Sequence, residues 1–361
     1  MPERPIVEGV DQDELKMFSF QVWTYKQGEM VSAMINLGDR LDLFRHLRAL
    51  GRADSQTLAD AAGCNERFVR EWLLGVAAAR LIVHHDDSTF ELTPVQAAVL
   101  ADEEESIAFS AGAFRGGFSV ETMDALEESF RTGIGITYEQ QGPSAAAGLA
   151  RMTSPWARHG LTTAILPAIE GLVEQLEAGI HVADIGCGGG VLACALARHY
   201  PNSTIVGYDP SAHAIELARE RAAEEGLDNV TFKLAFAEDV PDEPTFDFIA
   251  TFDVLHDMPH PDRAIAAVKK SLKPNGVWLV KDIRSSGDWH QDVKNPLLPM
   301  FYGFSITSCL QSAMSVKGGM GLGTLGLHPA KAEEMMREAG FGHFQTHDVG
   351  DQANLYYEVR H

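Results

Sequence analysis

The feature that most constrains this chain is the run Asp184-Ile185-Gly186-Cys187-Gly188-Gly189-Gly190, set between an apolar strand-like segment, HVADI, and a helical one, VLACALARHY. Glycines at 186, 188 and 190 allow a sharp backbone turn and let a ligand approach with no Cβ in the way. Nicotinamide and flavin enzymes use a similar loop, so the glycines alone leave the ligand open. The spacing here is GxGxG, however, and not the GxGxxG of a dinucleotide site. An acid also stands two residues before the first glycine. Asp184 would repel a pyrophosphate and attract a ligand carrying an ammonium group.

From about Ala178, apolar runs (HVADIG, STIVGYD, VTFKLA, FDFIATFD, GVWLVKD) alternate with helical stretches. That alternation predicts a parallel sheet with helices on both faces. HFQTHDV and NLYYEVR lie close together and are expected to pair antiparallel at one end. The expected fold is therefore α/β: a Rossmann-like seven-stranded sheet over residues 176–361, mostly parallel with one antiparallel strand. Ligands of such sheets bind beyond the carboxyl ends of the strands. Four successive strand ends carry suitable residues. The second ends in Tyr208-Asp209-Pro210, where a carboxylate can accept both hydroxyls of a ribose. The third leads to Ala235-Phe236-Ala237-Glu238-Asp239, with an apolar and a polar residue to flank an adenine. The fourth runs into Phe252-Asp253-Val254-Leu255-His256-Asp257. Each piece alone also reads as a helix cap or a turn, but their recurrence at one sheet edge points to a ligand.

The first hundred residues differ in kind. After a leading helical segment over 1–30, GDRLDLFRHLRAL places Leu41, Leu43, Phe44, Leu47 and Leu50 at helical spacing. Asp54 or Ser55 can cap a short helix that stops at Gly63, and Asn65 can cap ERFVREWLLGVAAARL. IVHHDDSTFELT then reads as two short strands around an Asp-Asp-Ser turn. Three helices and a hairpin describe a winged helix over 1–100. Residues 101–175 are taken as a helical connection. Residues 284–327 are an insertion after the fifth strand, dense in aromatic and methionine residues and suited to covering a pocket.

These residues resemble a known family. DIGCGGG, YDP, AEDVP, FDVLHDM and SLKPNGVWLV are similar to the motifs of class I S-adenosylmethionine-dependent methyltransferases, from about Ala178 to Arg360. The N-terminal pattern resembles a bacterial winged-helix branch often labelled transcriptional regulators, and more distantly the small-molecule O-methyltransferases of plants and antibiotic pathways. The resemblance implies that S-adenosylmethionine is the cofactor. It places Asp184 beside the methionine end, with Gly186, Cys187 and Gly188 around it. Asp209 would hold the ribose, followed by Pro210, with Phe236, Ala237, Glu238 and Phe252 lining the remainder. It further implies a homodimer formed through the winged helix, which also covers the substrate. One departure is Phe236, where the family often has an acid, so the adenine contact becomes apolar stacking. The related bacterial branch often shows a WHEH-like segment where this chain has Tyr138-Glu139-Gln140-Gln141, so roles of those histidines do not transfer.

For chemistry, methyl transfer demands mainly alignment of donor and acceptor, with a base where the acceptor is a hydroxyl. His256 matches the base of the HDW segment in plant-type enzymes, although Met258 replaces the tryptophan, and Asp282 matches the carboxylate that orients it. A structural alternative for His256 is the cap of the following helix. No metal is expected: His256-Asp257-Met258-Pro259-His260 imitates a zinc-protease spacing, but Pro259 should break the helix that spacing needs. Gly321-Leu322-Gly323-Thr324-Leu325-Gly326 fits GxGxxG and is read as a flexible loop. The expected activity is methylation of a small molecule, most readily at oxygen, with nitrogen or sulfur acceptors as alternatives.

Two other classes are disfavoured. A winged-helix regulator would need a basic reading surface, and Asn65–Leu81 carries Arg67, Arg70 and Arg80 against Glu66 and Glu71. The whole chain stands at −22, which disfavours phosphate backbones and so nucleic acid as a partner. A nicotinamide dehydrogenase is disfavoured by Asp184 and the glycine spacing. No apolar run is long enough to cross a membrane, the opening residues show no secretory pattern, and four scattered cysteines suit a reducing, cytoplasmic setting.

Overall fold

Among the described residues the hydrophobic core falls into three clusters, and the contacts divide the chain between Phe118 and Ser119, with one cluster before that point and two after it. The computed structural model describes residues 9–361. Residues 1–8, where the opening segment was read for a leader, lie outside the described residues.

In the first unit, α1 (Gln12–Arg40) starts at Asp11, whose carboxylate accepts from the backbone N–H groups of Asp13 and Glu14. There follow α2 (Leu43–Leu50), α3 (Ser55–Ala62), α4 (Glu66–Ala78), a hairpin of β1 (Val83–His84) and β2 (Phe90–Glu91), and α5 (Pro94–Leu100). This is the winged-helix order, with Asp54 and Asn65 capping α3 and α4, and Gly63 ending α3 in the left-handed region. The helical spacing from Leu41 to Leu50 is interrupted, because α1 stops at Arg40 and Asp42 takes φ 54°. The break turns α2 so that Leu43, Phe44 and Leu47 are buried while Leu41 and Leu50 stay exposed. Trp72 anchors α4 to α1: its Nε1 donates to the Met34 carbonyl at 2.9 Å, and its ring covers Gly38, where a Cβ would lie 2.4 Å away. On α4, Arg67 pairs with Glu71 and Arg70 with Glu66. Two of the helix's arginines are thus already neutralised.

In the second unit, α6 (Val120–Thr132), α7 (Pro143–His159) and α8 (Leu172–Ala178) precede the sheet. The sheet and its helices run β3 (His181–Ile185), α9 (Val191–His199), β4 (Thr204–Asp209), α10 (Ala212–Glu224), β5 (Val230–Leu234), β6 (Phe246–Phe252), α11 (Pro261–Ser271) and β7 (Leu272–Ile283). Next come α12 (Trp289–Asp292), α13 (Leu298–Phe304), α14 (Leu310–Ala313), α15 (Pro329–Glu338), β8 (His343–His347) and β9 (Asn354–Arg360). The seven strands lie in the order β5-β4-β3-β6-β7-β9-β8. Only β9 runs against its neighbours, pairing antiparallel with both β7 and β8. Strand order reverses at β3, which lies between β4 and β6, so a crevice opens beyond the carboxyl ends of β3 and β6.

Alternate residues feed the two faces of the sheet. Val182, Phe248 and Leu279 pack with α8, α9 and α10, while Ala183, Ile249 and Trp278 pack with α11 and α15. The stretch expected as a connection to residue 175 does not stand apart. Leu161, Ile165 and Leu166 are buried in the first of these clusters, and the Trp156 Nε1 donates to the Tyr356 hydroxyl at 3.0 Å. The apolar content of that stretch explains why it joins the sheet rather than spanning a gap. The Gly321–Gly326 segment also differs from the expected flexible loop. The Gly323 N–H donates to the His256 carbonyl at 3.0 Å, the Met320 N–H to the Pro259 carbonyl at 2.8 Å, and Thr324 is buried.

Candidate active site

The glycine turn is built by backbone geometry that only glycine tolerates cheaply. Gly186, Gly188 and Gly190 all sit at positive φ, at 75°, 50° and 72°. A Cβ on Gly186 would meet Val254 at 2.3 Å, whereas one on Gly188 would meet nothing within 4 Å. The first glycine therefore serves packing against the end of β6, and the second faces open space. The Gly186 and Cys187 N–H groups both donate to the Tyr208 carbonyl, at 2.8 and 3.0 Å, tying the turn to the end of β4.

Two carboxylates meet at this turn. Asp209 accepts from the Gly188 N–H through Oδ2 and from the Ser211 N–H through Oδ1, each at 2.9 Å. Asp184 is almost fully buried, and its Oδ2 has no hydrogen-bond partner. Burial, with the Asp209 charge beside it, pushes the Asp184 carboxyl up to about 7. Buried acceptors are nearly always paired, so the unpaired Asp184 Oδ2 is open to a partner. These features fit a ligand with an ammonium group at Asp184 and a ribose beside Asp209, as S-adenosylmethionine has. Beyond the end of β5, Phe236 presents an exposed ring and Glu238 is exposed, while Ala237 is buried. Phe252 is half-buried, edge-on to Trp156 with ring centres 5.6 Å apart, and Pro210 is exposed.

A second cluster lies beyond the ends of β6 and β7. His256 sits in a short 3-10 turn, Leu255–Asp257, and its Nδ1 lies 2.8 Å from Asp282 Oδ1. Both side chains are buried. Burial works against the charged imidazole, but the Asp282 carboxylate outweighs it and holds the His256 pKa well above the usual histidine range. Asp257 points to the Tyr138 hydroxyl, which donates to its Oδ2 at 2.8 Å, and burial raises the Asp257 carboxyl to about 7. His260 stands apart as the residue before α11, so the protease-like spacing does not form one helical face.

Three residues of this region escaped the sequence reading. Cys309 closes a π-helical turn, Ser305–Cys309, between α13 and α14. Its Sγ lies 3.8 Å from the Tyr138 hydroxyl. The donor atoms of Cys309, His256 and Asp257 all fall within 4.8 Å of one another. Tyr138 and Glu139 are the other two. Glu139 Oε2 accepts from the Ser211 hydroxyl at 2.7 Å, so neighbouring residues reach the two clusters separately. The segment containing them was visible as a motif position, but nothing in its composition identified the partners.

Comparison with known proteins completes the description. Residues 176–340 match the family described as a methyltransferase domain, and residues 29–102 match the Rv2258c-like winged HTH domain. The chain is similar to the ubiquinone biosynthesis O-methyltransferase of Actinobacillus pleuropneumoniae serotype 5b (36% identical over 111 residues, 29% of this chain and 46% of that protein). It is also similar to methyltransferase GfsG of Streptomyces halstedii (37% over 118 residues, 32% of this chain and 42% of that protein). This chain thus spans less than half the length of these curated relatives. Across nearly its whole length the fold is that of human N-acetylserotonin methyltransferase in complex with SAM (18% identical, TM-score 0.68, covering 98% of this chain and 99% of that one). A Nostoc punctiforme PCC 73102 protein assigned to the O-methyltransferases is also similar in fold (20% identical, TM-score 0.71, covering 98% and 100%).

Proposed function

Because the chain carries a methyltransferase domain at residues 176–340 behind a winged HTH domain at 29–102, we propose that it is an S-adenosylmethionine-dependent methyltransferase of a small molecule, acting on oxygen. The observation that carries this reading is the unpaired, buried Asp184 Oδ2 beside the open left-handed turn at Gly188. A dinucleotide pyrophosphate would meet a carboxylate there, whereas an ammonium group completes it. Asp209 is the ribose partner, Gly186 and Cys187 shape the turn, and Pro210, Phe236, Ala237, Glu238 and Phe252 line the rest.

S-adenosylmethionine supplies an electrophilic methyl group on its sulfonium. The chain's own part is to hold the acceptor and remove its proton. His256 is the base: Asp282 fixes Nδ1, leaving Nε2 to take the hydroxyl proton and stabilising the imidazolium that results. The carboxylate acts on the imidazole and does not touch the acceptor. A nitrogen or sulfur acceptor would depend less on this base. The insertion at 284–327 forms the acceptor wall in this reading and contains the π-helical turn Ser305–Cys309; such turns recur at functional sites. A net charge of −22 and the paired arginines of α4 speak against nucleic acid as the acceptor or partner.

The first unit is the dimer interface in this reading. Helix α1 exposes Met17, Phe18, Phe20, Trp23 and Tyr25, an apolar surface suited to a second copy of the chain. Among the described residues no helix is long and apolar enough to cross a membrane, and all four cysteines are free, which suits a cytoplasmic protein. Calorimetric titration of the purified protein with S-adenosylmethionine and its demethylated product tests the central claim. Micromolar binding supports it; no binding by the folded protein refutes it.

A further inference from the structure

The acceptor-side cluster contains a nucleophile that methyl transfer does not use. Cys309 Sγ stands beside the His256 ring, within 4.8 Å of its nitrogen. Asp282 Oδ1 lies 2.8 Å from Nδ1 of the same ring. A thiol, an imidazole and a carboxylate in this sequence are the parts of an activated nucleophile, with the carboxylate fixing the tautomer that leaves the far nitrogen free to take the thiol proton. The three come from separate elements: the π-helical turn, the 3-10 turn after β6 and the end of β7. The Tyr138 hydroxyl lies 3.8 Å from Sγ, with its proton directed to Asp257. Cys309 is only partly buried.

The remaining cysteines supply an internal contrast. Cys187 and Cys194 are buried, and burial raises both thiols, that of Cys194 to about 12. Cys64 is partly buried like Cys309, but its Sγ faces the Ala62 carbonyl at 3.5 Å.

We propose that Cys309 is a modification site, a thiolate generated by His256 that reacts with hydroperoxides. In the step, His256 takes the thiol proton and the thiolate attacks the terminal peroxide oxygen. An S–O bond forms as the O–O bond breaks, the sulfur is oxidised to a sulfenic acid, and the peroxide is reduced. With hydrogen peroxide the leaving hydroxide takes up the proton from His256 as water. The added oxygen stands at the His256 ring and accepts a hydrogen bond from it. Methyl transfer then stops; that consequence rests on the base role proposed for His256, whereas the reactivity of the thiol does not.

The test is the rate at which each cysteine of the full chain is converted by hydrogen peroxide, trapped with a cyclic dione and read by peptide mass spectrometry. In the wild-type protein Cys309 should label at least tenfold faster than Cys64. Asp282→Asn and His256→Ala should each slow Cys309 by tenfold or more and leave Cys64 unchanged. Equal rates at Cys309 and Cys64 in the wild type would overturn the proposal without recourse to any variant. So would a Cys309 rate indifferent to both substitutions, or stoichiometric zinc that Cys309→Ser releases, since the sulfur would then be a metal ligand. Binding of S-adenosylmethionine, measured on the same samples, reports separately on the cofactor reading.

Discussion

The two ends of the crevice are built in opposite ways. The proposed cofactor end, around Asp184 and Asp209, is made by two adjacent strands and one turn, and much of its geometry is backbone: three left-handed glycines and N–H groups given to Asp209 and Tyr208. The proposed acceptor end is made by side chains from four distant segments: Tyr138, His256 with Asp257, Asp282 and Cys309. A backbone-made site needs a contiguous motif, and so it constrains sequence strongly. A side-chain-made site needs only that distant residues converge, which leaves room for the acceptor to vary while the cofactor stays the same.

If that division is right, substitutions at the two ends should separate cleanly. The largest expected effect is on turnover. His256→Ala should lower kcat by about 10²- to 10⁴-fold, the usual contribution of a general base, while leaving the affinity for S-adenosylmethionine within about twofold. Because Asp282 holds His256 protonated well above its usual range, the rate should climb with pH past neutrality, and Asp282→Asn should move that rise to lower pH. A rate profile unmoved by either change would remove the base from the acceptor end.

At the cofactor end, Asp184→Ala should weaken S-adenosylmethionine about 30-fold to several thousand-fold, the cost of removing one member of a buried charged pair. Calorimetry checks it, and an unchanged affinity would break the comparison at its firmer side. The same carboxyl gives a pH signature. With a folded pKa of about 7 against an ordinary 3.8, it must ionise to hold an ammonium group, so affinity should fall about tenfold per unit as pH drops below about 7. The stability sign is the reverse of an ordinary ion pair. Below about pH 4 both folded and unfolded states are protonated and there is no penalty. Between about 4 and 7 the unfolded chain ionises first, so stability falls as pH rises, by on the order of a few kcal/mol in all. Asp184→Asn should therefore raise the Tm of the unliganded protein at pH 8 and leave it unchanged at pH 4.

How much of this was legible in sequence follows the same division. The α/β order, the antiparallel last strand, the winged helix and its caps at Asp54 and Asn65 all rest on local periodicity and turn chemistry, and all are present. Asp184, Asp209 and the glycines were legible because one motif contains them. His256 was flagged by its place at the fourth strand end and by resemblance, whereas Asp282 came by resemblance alone, as a sequence separation of 26 carries no spacing rule. The partners of Cys309 and Tyr138 were not legible, since neither a lone cysteine nor a lone tyrosine signals what it meets. The break at Asp42 was missed for a related reason: apolar spacing ran through it, and only the left-handed φ of a non-glycine residue redirects the chain.

The smallest predicted effect tests the division at its narrowest point, where two neighbouring residues serve different ends. Tyr138 donates to Asp257 at the acceptor end, and Glu139 accepts from Ser211 beside Asp209. Tyr138→Phe removes a buried donor to a carboxyl group and should cost about 1–3 kcal/mol in urea unfolding, with the affinity for S-adenosylmethionine unchanged. Glu139→Gln keeps the shape, removes a charge that is largely solvated, and should alter that affinity by no more than about threefold, with no loss of stability beyond error. Should Tyr138→Phe instead weaken cofactor binding, the two ends would have to communicate through the 138–139 peptide, and the acceptor wall could no longer be regarded as free to vary independently of the cofactor turn.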